Sequence, residues 1–162
     1  MTEKYDQLDI RILKALQEDA SIPVLDLAEQ LGSSKSVVWR RIQRLQKLGV
    51  IKARVALLDA RRLGLGVTVF AQVKMARHGK SMLEGFVEQI RAYPQVVECH
   101  TVMGDFDFLL KIVAESVEQY RQFLWNSLSS IEGVQEVSSS ISMMQVVENR
   151  GLPLVLRKAR SE

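Results

Sequence analysis

Apolar residues recur at helical spacing as far as about residue 48 and, beyond residue 66, at the alternating spacing of strands interleaved with helices. One layer of structure cannot satisfy both periods, so the chain divides into a helical amino-terminal domain and a mixed carboxy-terminal one. The change falls at Arg61-Arg62-Leu63-Gly64-Leu65-Gly66. The sequence therefore predicts a domain over 1–60, a hinge over 61–66, a second domain over 67–148 and an extension with a frayed end over 149–162.

Three helices fill the first domain. Leu8, Ile12, Ala15 and Leu16 mark the first, with Asp6 as N-cap. Val24, Leu27, Ala28 and Leu31 mark the second, which starts near Pro23 and stops at Gly32. Ser33 or Ser34 caps the third, whose inner stripe is Val38, Ile42, Leu45 and Leu48 and which ends before Gly49. At about 100° per residue, Ser36, Arg40, Gln43 and Lys47 share the opposite side. The link Leu31-Gly32-Ser33-Ser34 has the length of a helix-turn-helix. Residues 51–58 then alternate, with Lys52 and Arg54 on one side, and predict a strand that serves as a wing.

Charge singles out the third helix and the segment after it. Residues 34–62 carry nine basic side chains and one acid, Asp59, while the whole chain has a net charge of only +3. Solvated faces usually mix both signs, so this run reads as a footprint for a polyanion. Lys35, Ser36, Arg40 and Gln43 are side chains that can bond base edges in a major groove. Arg44, Lys47, Lys52 and Arg54 are expected to hold phosphates, and Ser34 completes the expected DNA-binding set. Arg41 points to the core edge and is read as a structural partner for an acid of the first helices. Trp39, on the flank, fits either packing or a DNA-backbone contact.

The second domain reads βαββαβ, an α+β ferredoxin-like sandwich with both helices on one sheet face. Strands are expected over 67–75, 96–103 and 108–113, and in a last strand with Val137, Ser139, Ile141, Met143 and Gln145 on one face. Leu83, Phe86, Val87 and Ile90 mark one helix; Val117, Tyr120, Leu124, Leu128 and Ile131 mark the other. The uncovered sheet face predicts a homodimer, whose two heads would read a roughly palindromic site.

Other function classes find little support. Cys99 and His100 are strand neighbours on opposite faces and cannot act as nucleophile and base. His78 falls in a loop, and His100 with Asp105 and Asp107 lacks metal-ligand spacing. Gly64-Leu65-Gly66 has no third glycine and no helix after it, so it is no phosphate loop. The expectation is a protein that is not an enzyme and holds no metal or cofactor. With one cysteine, no leader-like start and no membrane-length apolar run, it is expected in the cytoplasm with the nucleoid.

The chain resembles the Lrp/AsnC (leucine-responsive/asparagine-operon, or feast/famine) regulators. The matching residues run from Leu8-Asp9-Ile10-Arg11-Ile12 through Asp26-Leu27-Ala28, Leu31-Gly32-Ser33-Ser34, Arg41-Ile42-Gln43-Arg44-Leu45 and Leu48-Gly49-Val50-Ile51. The most specific string is Glu98-Cys99-His100-Thr101-Val102-Met103-Gly104-Asp105-Phe106-Asp107-Phe108. The resemblance implies a winged helix-turn-helix joined to a RAM/ACT-like domain that binds an amino acid. It further implies dimers that can assemble to octamers on double-stranded DNA.

By position, Gly104, Asp105 and Asp107 would hold the effector, with Ser138, Ser139 and Ser140 contributed by a neighbouring subunit. Without the resemblance, Gly104-Asp105 is simply a hairpin turn. Many members carry a Pro-Thr-Pro-Cys-like segment where this chain has Lys35-Ser36-Val37-Val38, which implies a different operator. Trp39 and the run Ser138-Ser139-Ser140 resemble one branch of the family. An architectural DNA-wrapping protein without effector is the alternative.

Overall fold

A computed structural model describes residues 5–77, 79–148 and 151–154. The first four residues, His78 and most of the expected extension from Asn149 lie outside the described residues. The chain forms two compact units. Of the described residues, one comprises those up to Leu57 together with those from Val147, and the other those from Leu58 to Val146.

The first unit packs α1 (Gln7–Glu18), α2 (Val24–Leu31) and α3 (Lys35–Lys47). Asp6 closes a capping box with Asp9: its carboxylate accepts from the Asp9 N–H at 2.9 Å, and the Asp9 carboxylate accepts from the Asp6 N–H at 3.1 Å. Gly32 ends α2 at φ +63°, a left-handed conformation that glycine adopts without steric cost. Ile12, Leu27, Val38, Ile42 and Leu45 form the sealed core.

Leu48, expected on the inner stripe, is half-exposed. The helix stops there, the N–H groups of Val50 and Ile51 turn back to the Leu45 carbonyl, and these two residues pack against the core instead. The described part of the tail is tied down. The Gln17 side chain accepts from the Leu152 N–H at 2.7 Å and donates to its carbonyl at 3.4 Å, while Leu154 packs on the core.

One other expectation changes. Residues 52–58 form no ladder, because a strand needs a partner edge and none is offered among the described residues. Val55, Leu57 and Leu58 stay exposed there. The segment expected as a hinge is part of an ordered turn: Asp59 accepts from the N–H groups of Arg61 and Arg62, and the Leu65 N–H returns to the Ala60 carbonyl at 2.8 Å.

The second unit is βαββαβ, with β1 (Val67–Met75), α4 (Lys80–Arg91), β2 (Val96–Thr101), β3 (Phe108–Ala114), α5 (Val117–Asn126) and β4 (Val134–Ile141). The sheet is antiparallel in the order β2-β3-β1-β4. Val69, Ala71, Val73 and Met75 of β1 and Phe108, Leu110 and Ile112 of β3 pack beneath the helices, where Phe86 stacks on Phe108 at 4.5 Å.

Three element ends differ from expectation. The strand β2 stops at Thr101, where the chain turns into the loop of Gly104. A 3₁₀ turn, Leu128–Ser130, replaces the end expected of α5. Gly133 then holds φ +85°, and a Cβ there would lie 2.5 Å from the Met82 sulfur. The last strand ends at Ile141 rather than running on to Gln145, because its partner β1 begins at Val67. Once Ser142 has donated to the Thr68 carbonyl the edge is exhausted, and Met143 is fully exposed.

Candidate nucleic-acid interface and effector loop

The rotation of α3 is set by its apolar stripe and fixed by one buried charge. Asp9 is sealed from solvent. Its carboxylate receives Arg41 at 3.2 Å and also pairs with Arg44, so two guanidinium groups of α3 are rooted on the first turn of α1. A buried carboxylate requires such partners. Arg41 also pairs with Asp6, in keeping with a structural arginine. The Asp9 N–H first, and Arg41 after it, hold the Asp6 carboxyl below the usual carboxylate range. Arg44, assigned to phosphate from the sequence, is half-exposed and shares its guanidinium with Asp9.

This anchoring leaves Lys35, Ser36, Arg40, Gln43 and Lys47 exposed. Ser34 caps the helix through the Val37 N–H, and its hydroxyl lies 3.2 Å from that of Ser36. Trp39 is exposed rather than packed into the core. Lys52 and Arg54 are exposed on the segment after the helix. No acid occurs between Ser34 and Leu58, so the whole run presents positive charge. Sequence reasoning missed Asp9 as the anchor: its spacing from Asp6 marks a reciprocal cap at the start of a helix and carries no sign of burial.

In the second unit, Gly104, Asp105 and Asp107 share the loop between β2 and β3. Gly104 holds φ +148° and Asp105 is exposed at the tip. Asp107 closes the loop onto β1: its N–H donates to the Val73 carbonyl at 2.9 Å and its carboxylate accepts from the Met75 N–H at 2.7 Å. A side-chain oxygen thus supplies one more rung to the β1–β3 pairing, at the point where the β1–β4 register shifts.

Ser138, Ser139 and Ser140 lie on β4, two strands from β3, and one chain does not bring them to that loop. They also divide between faces. Ser139, opposite Ala71, turns to the helix side and bonds the Tyr120 hydroxyl at 2.5 Å, while Ser138 and Ser140 pair with Gln72 and Phe70 on the other side. At the far end of β3, a cavity of about 330 Å³ opens between Ile112, Ala114, Tyr120, Phe123 and Pro94. No spacing in the sequence marks it.

The remaining reactive side chains are quiet. Partial burial pushes the Cys99 thiol up, away from the thiolate that a nucleophile requires. His100 lies 3.3 Å from Glu98, whose carboxyl is lowered chiefly by Lys111. Among the described residues, no helix is long and apolar enough to cross a membrane.

Similarity to known proteins extends over both units. A winged helix-turn-helix DNA-binding profile matches residues 5–52, and an Lrp/AsnC ligand binding domain profile matches residues 68–152. The chain is 39% identical over 154 residues to a glutamate uptake regulatory protein of Zymomonas mobilis, covering 95% of this chain and 93% of the relative. It is 36% identical over 148 residues to a proline dehydrogenase transcriptional activator of Rhodobacter capsulatus, covering 91% and 96%. A transcriptional regulator from Neisseria meningitidis solved in complex with L-Met superposes with a TM-score of 0.88 at 30% identity, over 93% of this chain and 97% of that one. An AsnC family transcriptional regulator from Agrobacterium tumefaciens gives 0.87 at 40% identity, over 92% and 97%.

Proposed function

Since the chain belongs to the Lrp/AsnC family of transcriptional regulators, in which a DNA-binding head is joined to a ligand-binding domain, we propose which of its residues read DNA and which sense an amino acid. Lys35, Ser36, Arg40 and Gln43 enter the major groove. Lys47, Lys52 and Arg54, with the exposed part of Arg44 and the Ser34 cap, hold phosphates. The observation that carries this reading is the acid-free outer side of α3, fixed in rotation by the buried Asp9 pairs.

Two copies present two heads to a near-palindromic site in the cytoplasmic nucleoid, and dimers assemble further into octamers. The open sheet face around Phe70 and the unladdered segment 52–58 support pairing of copies. The effector is an amino acid whose ammonium group meets Asp105 and Asp107 beside Gly104, with Ser138 and Ser140 of a second copy nearby. The L-Met complex of the related regulator supports that class of ligand. Ser139 is left to its bond with Tyr120.

The DNA assignment is tested by comparing Arg40→Ala with Lys52→Ala on a selected operator and on random duplex. Loss of Arg40 costs about 1–3 kcal/mol on the operator and little on random DNA. Loss of Lys52 weakens both alike and flattens the salt slope. Equal losses on both duplexes for Arg40→Ala would remove it from the reading set. The architectural alternative draws on one observation, that the Asp107 carboxylate already serves the Met75 N–H.

A further inference from the structure

The geometry points to Trp39 as a reader of thymine, through contact of its indole with the base's 5-methyl group in the major groove; this rests on the DNA-binding reading above. Trp39 is the fifth residue of α3, next to a core residue, Val38, that is fully buried, yet it remains 55% exposed. With Ser34, Lys35 and Ser36 it lines a shallow depression, open to solvent, whose walls are mostly carbon. An indole held out in water on a helix that carries no acid offers flat carbon surface to whatever that helix docks against.

The surroundings decide what the contact is. Lys35 sits in the depression, Arg40 follows directly, and α3 contains no acid. A second copy of this surface would bring like charges together, whereas a polyanion complements it. On a recognition helix the amino-terminal turns approach base edges. Of the bases, only thymine projects a methyl group into the major groove, beside an O4 acceptor. Trp offers a flat carbon surface and a single N–H donor at its edge, which matches that pair of groups. Gln43, one turn further along α3, suits adenine, so the two side chains together favour an A·T contact.

The test uses the full-length chain and an operator selected from random-core duplexes. Each thymine is replaced in turn by deoxyuridine, which deletes only the methyl group. The expected result is a loss of about fourfold in affinity at one symmetry-related position, the value for one buried methyl group, with the other thymines unaffected. Trp39→Ala should bind the thymine and deoxyuridine duplexes equally, and Trp39→Phe should keep part of the difference.

The proposal is overturned if no thymine responds, or if the discrimination survives in Trp39→Ala. The deoxyuridine series on the unaltered chain needs no variant, so a misfolded Trp39→Ala would leave the first criterion standing. Failure to enrich any duplex would overturn the sequence-specific reading itself, and this proposal with it. Binding that is specific but indifferent to every methyl group overturns the proposal alone.

Discussion

Asp9 shows how one side chain can govern a surface it never reaches. Its carboxylate is out of water, and two arginines of the reading helix converge on it. Removing one partner of such a cluster leaves charge uncompensated, the costly case for buried ions. Asp6, at the rim of the same cluster, has a measurable signature. Its carboxyl is lowered in the folded state, so its stabilisation is present above its unfolded value of about 3.9 and is lost as pH falls through the folded value. In Asp6→Asn, which keeps the capping oxygen, stability should vary less steeply with pH below about 4. Acid titrations that run parallel for the two proteins would deny the charge that role. The rotation of α3 was legible because Val38, Ile42 and Leu45 repeat at helical spacing. The burial of Asp9 was not, because nothing local distinguishes a capping acid in water from one covered by another helix.

At the scale of elements, the β2–β3 loop already engages its one inward carboxylate in the fold, and the proposed ammonium contact would ask the same group for a second bond. Asp107→Ala would leave the Met75 N–H without its partner, a cost of about 1–3 kcal/mol for a buried donor, and would confuse folding with ligand binding. Asp107→Asn keeps an acceptor oxygen for that N–H and removes the charge. It should therefore melt close to the unaltered protein and yet respond far more weakly to the amino acid. A response of equal size would assign the ammonium contact elsewhere. The strands were legible wherever alternation coincided with a partner. Beyond Ile141 and over 52–58 alternation continues without a neighbouring edge, and pairing, which depends on distant sequence, decides the outcome. The division of Ser138 and Ser140 from Ser139 follows from strand periodicity, but the Tyr120 bond that occupies Ser139 needs the fold to be seen.

For the whole molecule, ligand response is a property of the assembled chain and is read by melting it against each of the twenty amino acids. A ligand that binds only the native protein should stabilise it by about 2.7 kcal/mol at 100 times its dissociation constant. A shift with one or two amino acids names the effector. Indifference to all twenty turns the search to a related small metabolite or to the architectural reading, and leaves DNA binding intact. Periodicity along the sequence divides the chain in series, head and then sensor. It carries no sign of the return of the tail, because Gln17 and the core of the first unit hold residues that follow β4.

That return makes the sensor an insertion in the head, entered after Leu57 and left before Val147. Severing the chain once, in the turn over 59–65, would therefore cut the covalent path on one side only. Gel filtration of protein nicked there should recover a single noncovalent particle, held by Leu152 and Leu154 on their helical seat, whereas a head cut off at residue 57 should be the less stable for lacking them. Separate elution of the two pieces would mean that the clasp on Gln17 is too weak to matter. If the clasp holds, the chain joins sensor and head at two places, and a sequence inserted into the turn would alter only one of them.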